Sequence, residues 1–196
     1  DIEDIAFIKK HSFVNEEDDK KFMGCFLHDI MEESDELFEL RMLFYNKYPV
    51  WSQELYIDVK AMMKHCESRT IRLISFWLKN KIISKAKNVY RYEEELLAIT
   101  DSYLLQEAKY VLDELTQYIP LQDADELYFS DWSGSFFQRR SLERAAVELL
   151  KKANVAIIAT DAEYFWKYYA PYMGRNYAIF NELILHGLQF LPESYS

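Results

Sequence analysis

Apolar positions recur at intervals of three and four through most of this chain, and that spacing predicts helices. From Lys20 to Tyr48, a wheel at about 100° per residue gathers Met23, Phe26, Leu27, Ile30, Ser34, Leu37, Phe38, Phe44 and Tyr45 in one broad sector. Arg41 falls in the same sector, where its stem is expected to lie along apolar surface while its head reaches water. Asp29, Glu32, Asp35, Glu36 and Glu39 lie opposite, with Glu33 near the edge. The stretch reads as one long helix, led in by the acidic NEEDD of residues 15–19 and stopped before Pro49.

The same spacing continues. Ser52 is the expected N-cap of a second helix with Leu55, Val59, Met62 and Cys66 on its stripe. A break near Cys66–Ser68 leads to Arg69–Lys87, where Ile71, Ile74, Leu78 and Ile82 form a stripe and Leu73, Phe76, Trp77 and Ile83 cover much of the remainder. A helix apolar on most sides is expected at the centre of a core. A fourth helix, Tyr92–Tyr118, carries Leu97, Leu104, Ala108, Val111 and Leu115, with Asp101 inside the apolar stripe as an expected local cap.

Pro120 ends that helix, and PLQDADE is the best linker candidate. Residues 127–135 (LYFSDWSGS) are the least helical stretch, with Trp132 expected to pack in the core. Capping-box pairs Ser135/Gln138 and Thr160/Glu163 open two more helices, the first through Leu142, Ala146, Leu149, Ala153 and Ile157, the second closed by Pro171. A last helix over Arg175–His186 is expected to end on Gly187 as its C-terminal cap. The pattern predicts an all-α fold: a single compact bundle of about six to eight helices, with no β-sheet. Residues 1–196 are expected to form one helical domain, with 119–126 as the place for any subdivision.

Composition narrows the function. Half of the 196 residues are hydrophobic and 16% are aromatic, too apolar for a disordered tail. No apolar run approaches the roughly 18 residues of a membrane span. No basic start followed by an apolar centre marks a secretory leader, although the chain begins at Asp1. Two cysteines make no disulfide framework, so a reducing cytoplasm is the expected location. Four glycines are too few, and wrongly placed, for a G-x-G-x-x-G, Walker or G-x-S-x-G loop.

The net charge of −10 is unevenly spread. Residues 1–59 hold 15 acids against 6 bases, 60–91 hold 1 against 9, 92–131 hold 11 against 1, and 132–196 hold 6 against 7. The basic segment is expected to neutralise its acidic neighbours across the fold. The acidic surplus argues against direct binding of nucleic acid or an anionic membrane. Lys79, Lys81, Lys85 and Lys87 suit the negative end of their helix better than they suit a phosphate patch.

Two surfaces stand out. Asp29, Glu32, Glu36 and Glu39 recur at spacings of three and four, a ribbon on the order of 15 Å long that would suit a basic partner. Tyr164, Phe165, Trp166, Tyr168 and Tyr169 are too dense for one buried stripe, so Tyr164, Trp166 and Tyr168 are candidate partner contacts. The leading expectation is a non-catalytic acidic binding protein that engages, or inhibits, a protein partner with a basic surface, without cofactor or metal. An oligomeric structural role for the aromatic patch is a further alternative, and the oligomeric state is not legible.

The competing reading is catalytic. His28-Asp29, within Leu27–Ile30, resembles the metal-binding dipeptide of HD-type phosphohydrolases. That resemblance implies a metal held by His28 and Asp29 with a second histidine upstream and an aspartate downstream, here His11 and Asp101. The wheel places His28 and Asp29 on the charged side, whereas a catalytic metal needs ligands converging in a cleft. A Cys25, His28, His65 and Cys66 zinc set is disfavoured because adjacent ligands on a helix diverge by about 100°.

Overall fold

The computed structural model describes residues 2–26, 34–48, 59, 62, 65–84, 101–121 and 142–193. Among them the fold is all-α, with seven α-helices, one short 3₁₀ helix and no strand. The chain groups into two compact units, Asp1–Asn80 and Lys81–Ser196. Of the segment expected to carry any subdivision, 119–121 follow a two-residue turn after a helix and 122–126 lie outside the described residues, as do Trp51, Ser52, Leu55, Trp132, Ser135 and Gln138.

In the first unit, α1 (Ile2–His11) and α2 (Glu16–Phe26) both pack on α3 (Asp35–Lys47). Asn15 starts α2 by accepting the Glu17 N–H on its side-chain oxygen at 3.0 Å. The single helix expected over Lys20–Tyr48 is broken. Ser34 has extended backbone (φ −74°, ψ 166°), and its Oγ accepts the Leu37 N–H at 3.2 Å. Serine competes with helix geometry through its own hydroxyl, so it caps α3 instead of continuing the apolar stripe in which the wheel had set it.

The fourth helix, α4 (Glu67–Ser84), starts at the break expected near Cys66. Thr70 Oγ1 donates to the Cys66 carbonyl at 2.8 Å there. Ile71, Leu73, Ile74, Ser75, Phe76 and Leu78 are all buried, as expected of a central helix. Phe38, Leu40, Phe44 and Tyr45 of α3, with Met62, complete this core, and Tyr45 meets Phe76 at 5.9 Å between ring centres. Arg41 departs from expectation: it is 0% exposed, so its head does not reach water. The apolar sector that holds it is the interior itself, not the rim.

Neutralisation between α3 and α4 takes the form that the charge layout suggested. Arg69 pairs with Asp35 at 2.7 Å and Arg72 grips Glu39 with both terminal nitrogens, at 2.5 and 3.2 Å. Both guanidinium groups also lie over the Phe38 ring, at 5.6 and 5.0 Å.

The second unit is built on α5 (Asp101–Thr116), α6 (Leu142–Tyr169), the 3₁₀ turn Ala170–Tyr172 and α7 (Ala178–Leu188), with α6 packed on both α5 and α7. Helix α6 is two arms joined at Asp161, whose backbone is non-helical (φ −156°, ψ 73°). Asn154 and the Tyr169 hydroxyl are hydrogen-bonded at 2.9 Å. In a straight helix their backbones would stand about 22 Å apart, at about 1.5 Å per residue. The second arm therefore turns back along the first. The capping-box spacing predicts this cap at Thr160. The Tyr164 N–H instead bonds Asp161 Oδ1 at 3.1 Å, while Thr160 Oγ1 donates back to the Ala156 carbonyl at 3.1 Å. Aspartate is the stronger acceptor at a helix start, and it wins by one position.

Gly187 is a second correction. It lies inside α7, one residue before the end, and the left-handed glycine of this region is Gly174 (φ 73°) in the turn before α7.

Candidate functional site

The second unit contains a cleft of about 580 Å³. One wall is a single stripe of the first arm of α6: Glu148, Lys151, Lys152, Val155 and Ala159, with Ala156 beside them. These positions follow at spacings of three and four, so they stand above one another on one helix face. Most of the other faces of that arm are buried. Leu104 and Leu105 of α5 form the opposite wall, and His186 and Phe190 close the side toward the end of α7. Space exists because Ala156 and Ala159 stand where longer side chains would fill it.

The cleft has two unlike ends. Val155, Ala156, Ala159 and the leucines make one end apolar, and Leu105 and Phe190 are 56% and 47% exposed at its edge. At the other end, Glu182 of α7 accepts a two-pronged bond from Arg144, at 2.9 and 2.5 Å, and Lys151 at 2.7 Å. Glu148 accepts Arg144 at 2.5 Å and Lys151 at 2.8 Å. Burial pushes the Glu182 carboxyl up, but the Arg144 and Lys151 bonds outweigh it and hold the group below its ordinary value.

His186 also lines the cleft and packs against Phe190, with ring centres 5.1 Å apart. Burial and then the charge of Lys151 lower its pKa, which favours a neutral ring at pH 7. Its Nδ1 is buried and has no hydrogen-bond partner among the described residues. Buried polar atoms are nearly always paired, and this nitrogen is an exception.

The residues singled out from sequence sit elsewhere. Asp29 and Glu32 of the acidic ribbon lie outside the described residues, as does His28. Glu36 is exposed on α3, while Glu39 is engaged by Arg72, whose bond holds its carboxyl below the ordinary value. The aromatic candidates are half-buried. Tyr164 lies under the Lys109 ammonium, 4.2 Å from the ring centre, and stacks on Tyr168 at 5.9 Å. The Tyr168 hydroxyl meets Thr116 Oγ1 at 2.5 Å, and burial pushes its pKa up to about 12. Trp166 packs edge-on to the buried Phe165 at 6.0 Å.

His11 is exposed at the end of α1, its ring 4.3 Å from Phe7, in the first unit. Asp101 begins α5 in the second. No group of three histidine, cysteine, aspartate or glutamate side chains converges for a metal among the described residues. No described helix is long and apolar enough to cross a membrane.

Sequence reasoning did not find the cleft. Ala146, Leu149, Ala153 and Ile157 of the predicted stripe are buried, and the stripe that lines the cleft lies beside them. Its one signal was the alanine pair Ala156 and Ala159 following a charged turn, which carries no meaning until α5 and α7 are in place. Compared with family models, curated proteins and solved structures, the chain has no match in any of the three.

Proposed function

We propose that this chain is a non-catalytic binding protein whose second unit takes the apolar part of a ligand in the α5–α6–α7 cleft. The observation that carries this reading is the cleft itself: about 580 Å³, within the range of ligand pockets, with an apolar end beside a few convergent polar groups. Its charged side chains favour recognition over proton transfer. Arg144, Glu148, Lys151 and Glu182 are held in mutual ion pairs. The test is calorimetric titration of the full chain with dodecanol, an uncharged apolar probe, beside an Ala159→Trp variant. Ala159 is exposed, so tryptophan there should fill the cleft without disturbing the core. One saturable site, lost in the variant while its melting curve is retained, is the expected result. No saturable binding, or binding indifferent to the substitution, refutes the reading.

A second reading keeps the docking of a basic protein partner on the acidic side of the first unit. It is supported by the net charge of −10 and by exposed Glu36. Capture of a basic protein at low salt, weakened both at high salt and by Glu36→Lys, would support it. Capture that ignores salt would count against it.

A further inference from the structure

Among the described residues that line the cleft, His186 is the only imidazole. It is half-buried on α7, with its ring packed on Phe190, which lines the cleft beside it. Its Nδ1 is buried and has no hydrogen-bond partner among the described residues. A neutral ring tolerates that position with its one proton on Nε2. An imidazolium carries a proton on each nitrogen, so protonation in place would leave a buried N–H without an acceptor.

The charges nearby do not reverse that preference. Glu148, Lys151 and Lys152 belong to α6 and Glu182 to α7, while Leu104 and Leu105, the lining residues of α5, carry none. Glu148 and Glu182 would favour a cation, but both are held by Arg144 and Lys151, and Lys152 is engaged as well. Burial and then Lys151 hold the ring below its ordinary 6.5.

An uncharged apolar ligand in the cleft would take water from the part of the ring that is still wet. That raises the cost of the cation and hardly touches the neutral form. What the ligand does to the proton, the proton does to the ligand. Resting on the binding reading above, we propose that His186 is a proton-operated control on the cleft, which holds an uncharged apolar ligand tightly while the ring is neutral and loosely once it is protonated. The sign follows from the linkage: a ligand that lowers the ring's pKa binds more weakly as pH falls through it.

Dodecanol suits the test, because it has no group that titrates in this range and any pH dependence then belongs to the protein. In calorimetric titration of the full chain, its Kd should be about two- to fivefold weaker at pH 5.5 than at pH 7.5, as a downward shift of about one pKa unit on binding implies. In His186→Gln that ratio should fall to about one, whatever the variant's affinity at pH 7.5. In the unaltered chain, the His186 ring resonances should titrate at lower pH with dodecanol bound than without it. Equal affinity at the two pH values, or a ring titration that dodecanol leaves in place, overturns the control and leaves the cleft reading standing. A pH dependence that persists in His186→Gln overturns it too. If dodecanol saturates no site at pH 7.5, the cleft reading falls and the control with it. Melting curves at both pH values separate lost binding from lost folding.

Discussion

Gly187 lies against the ring of Phe165. A Cβ built on it would stand 2.5 Å from Phe165 Cε2 and 3.3 Å from Ile158 Cδ1. The glycine lets α7 approach both arms of α6 at the point where they double back. Gly187→Ala should therefore destabilise the second unit by about 1–3 kcal/mol, the usual cost of overpacking a filled core. Adding Phe165→Leu should relieve part of that loss, so the two substitutions will be non-additive in denaturant unfolding. Additive effects would show that the close approach is not the cause.

A second prediction concerns Asp19, which is 1% exposed. Its two oxygens accept the Phe13 N–H at 2.9 and 3.0 Å, holding a non-glycine residue at φ 70°, and Oδ2 also accepts the Tyr48 hydroxyl. Asp19→Ala should lower stability by roughly 1–3 kcal/mol, because a buried clamp and a strained turn lose their support together. The Asp19 bond pushes the Tyr48 phenol up to about 12 from an ordinary 10.0. A raised pKa means that this contribution is full below pH 10 and is lost as pH rises toward 12. The alkaline limb of stability should flatten in the Asp19→Ala variant, as read by melting temperature against pH.

On the acid side His186 and Glu182 act in sequence. His186 is held below its ordinary 6.5 by burial and by Lys151, so the folded state resists protonation there. Its contribution is full above pH 6.5 and is lost as pH falls through the lowered value. Lys151, Glu148 and Glu182 are the charged groups that act on it. Glu182 lies below its ordinary 4.5, so a further loss begins under that pH. His186→Gln should remove the first limb of the melting-temperature profile and leave the second.

The Arg144 network supplies a fourth prediction. Arg144 and Glu182 side chains are only 13% and 32% exposed, so losing the guanidinium leaves Glu148 and Glu182 to share the Lys151 ammonium in a partly buried setting. Arg144→Ala should cost about 2 kcal/mol, between the surface and fully buried cases. Arg144→Lys should recover only part, since an ammonium cannot reproduce the two-pronged bond to Glu182. Full recovery by lysine would mean that charge alone matters.

Much of this fold is legible in periodicity, and the exceptions have local causes. The spacing of Ile71, Ile74 and Leu78 announces a buried helix, and α4 is one. The break at Ser34 was present in the pattern as a polar residue on an apolar stripe, but the wheel gives every position equal weight and cannot register a cap. Thr160 and Asp161 are adjacent cap candidates; aspartate is the stronger acceptor, and Lys109 on Asp161 at 2.8 Å adds a tertiary contact that the spacing cannot register. Gly187 resembles a C-terminal cap until Phe165, 22 residues earlier in the chain, is seen against it. The cleft is the least legible feature, because it is the space left by Ala156 and Ala159 between three helices. Periodicity registers what is filled.

The most direct measurement is methyl-resolved NMR of the full chain during titration with dodecanol. The account predicts shifts at Leu104, Leu105, Val155, Ala156 and Ala159. Leu185 and Leu188 should stay still: they are exposed on α7 but do not line the cleft. The exposed Leu43 of the first unit should stay still as well. Shifts centred on Leu185, Leu188 or Leu43, with the cleft methyls unmoved, would contradict it.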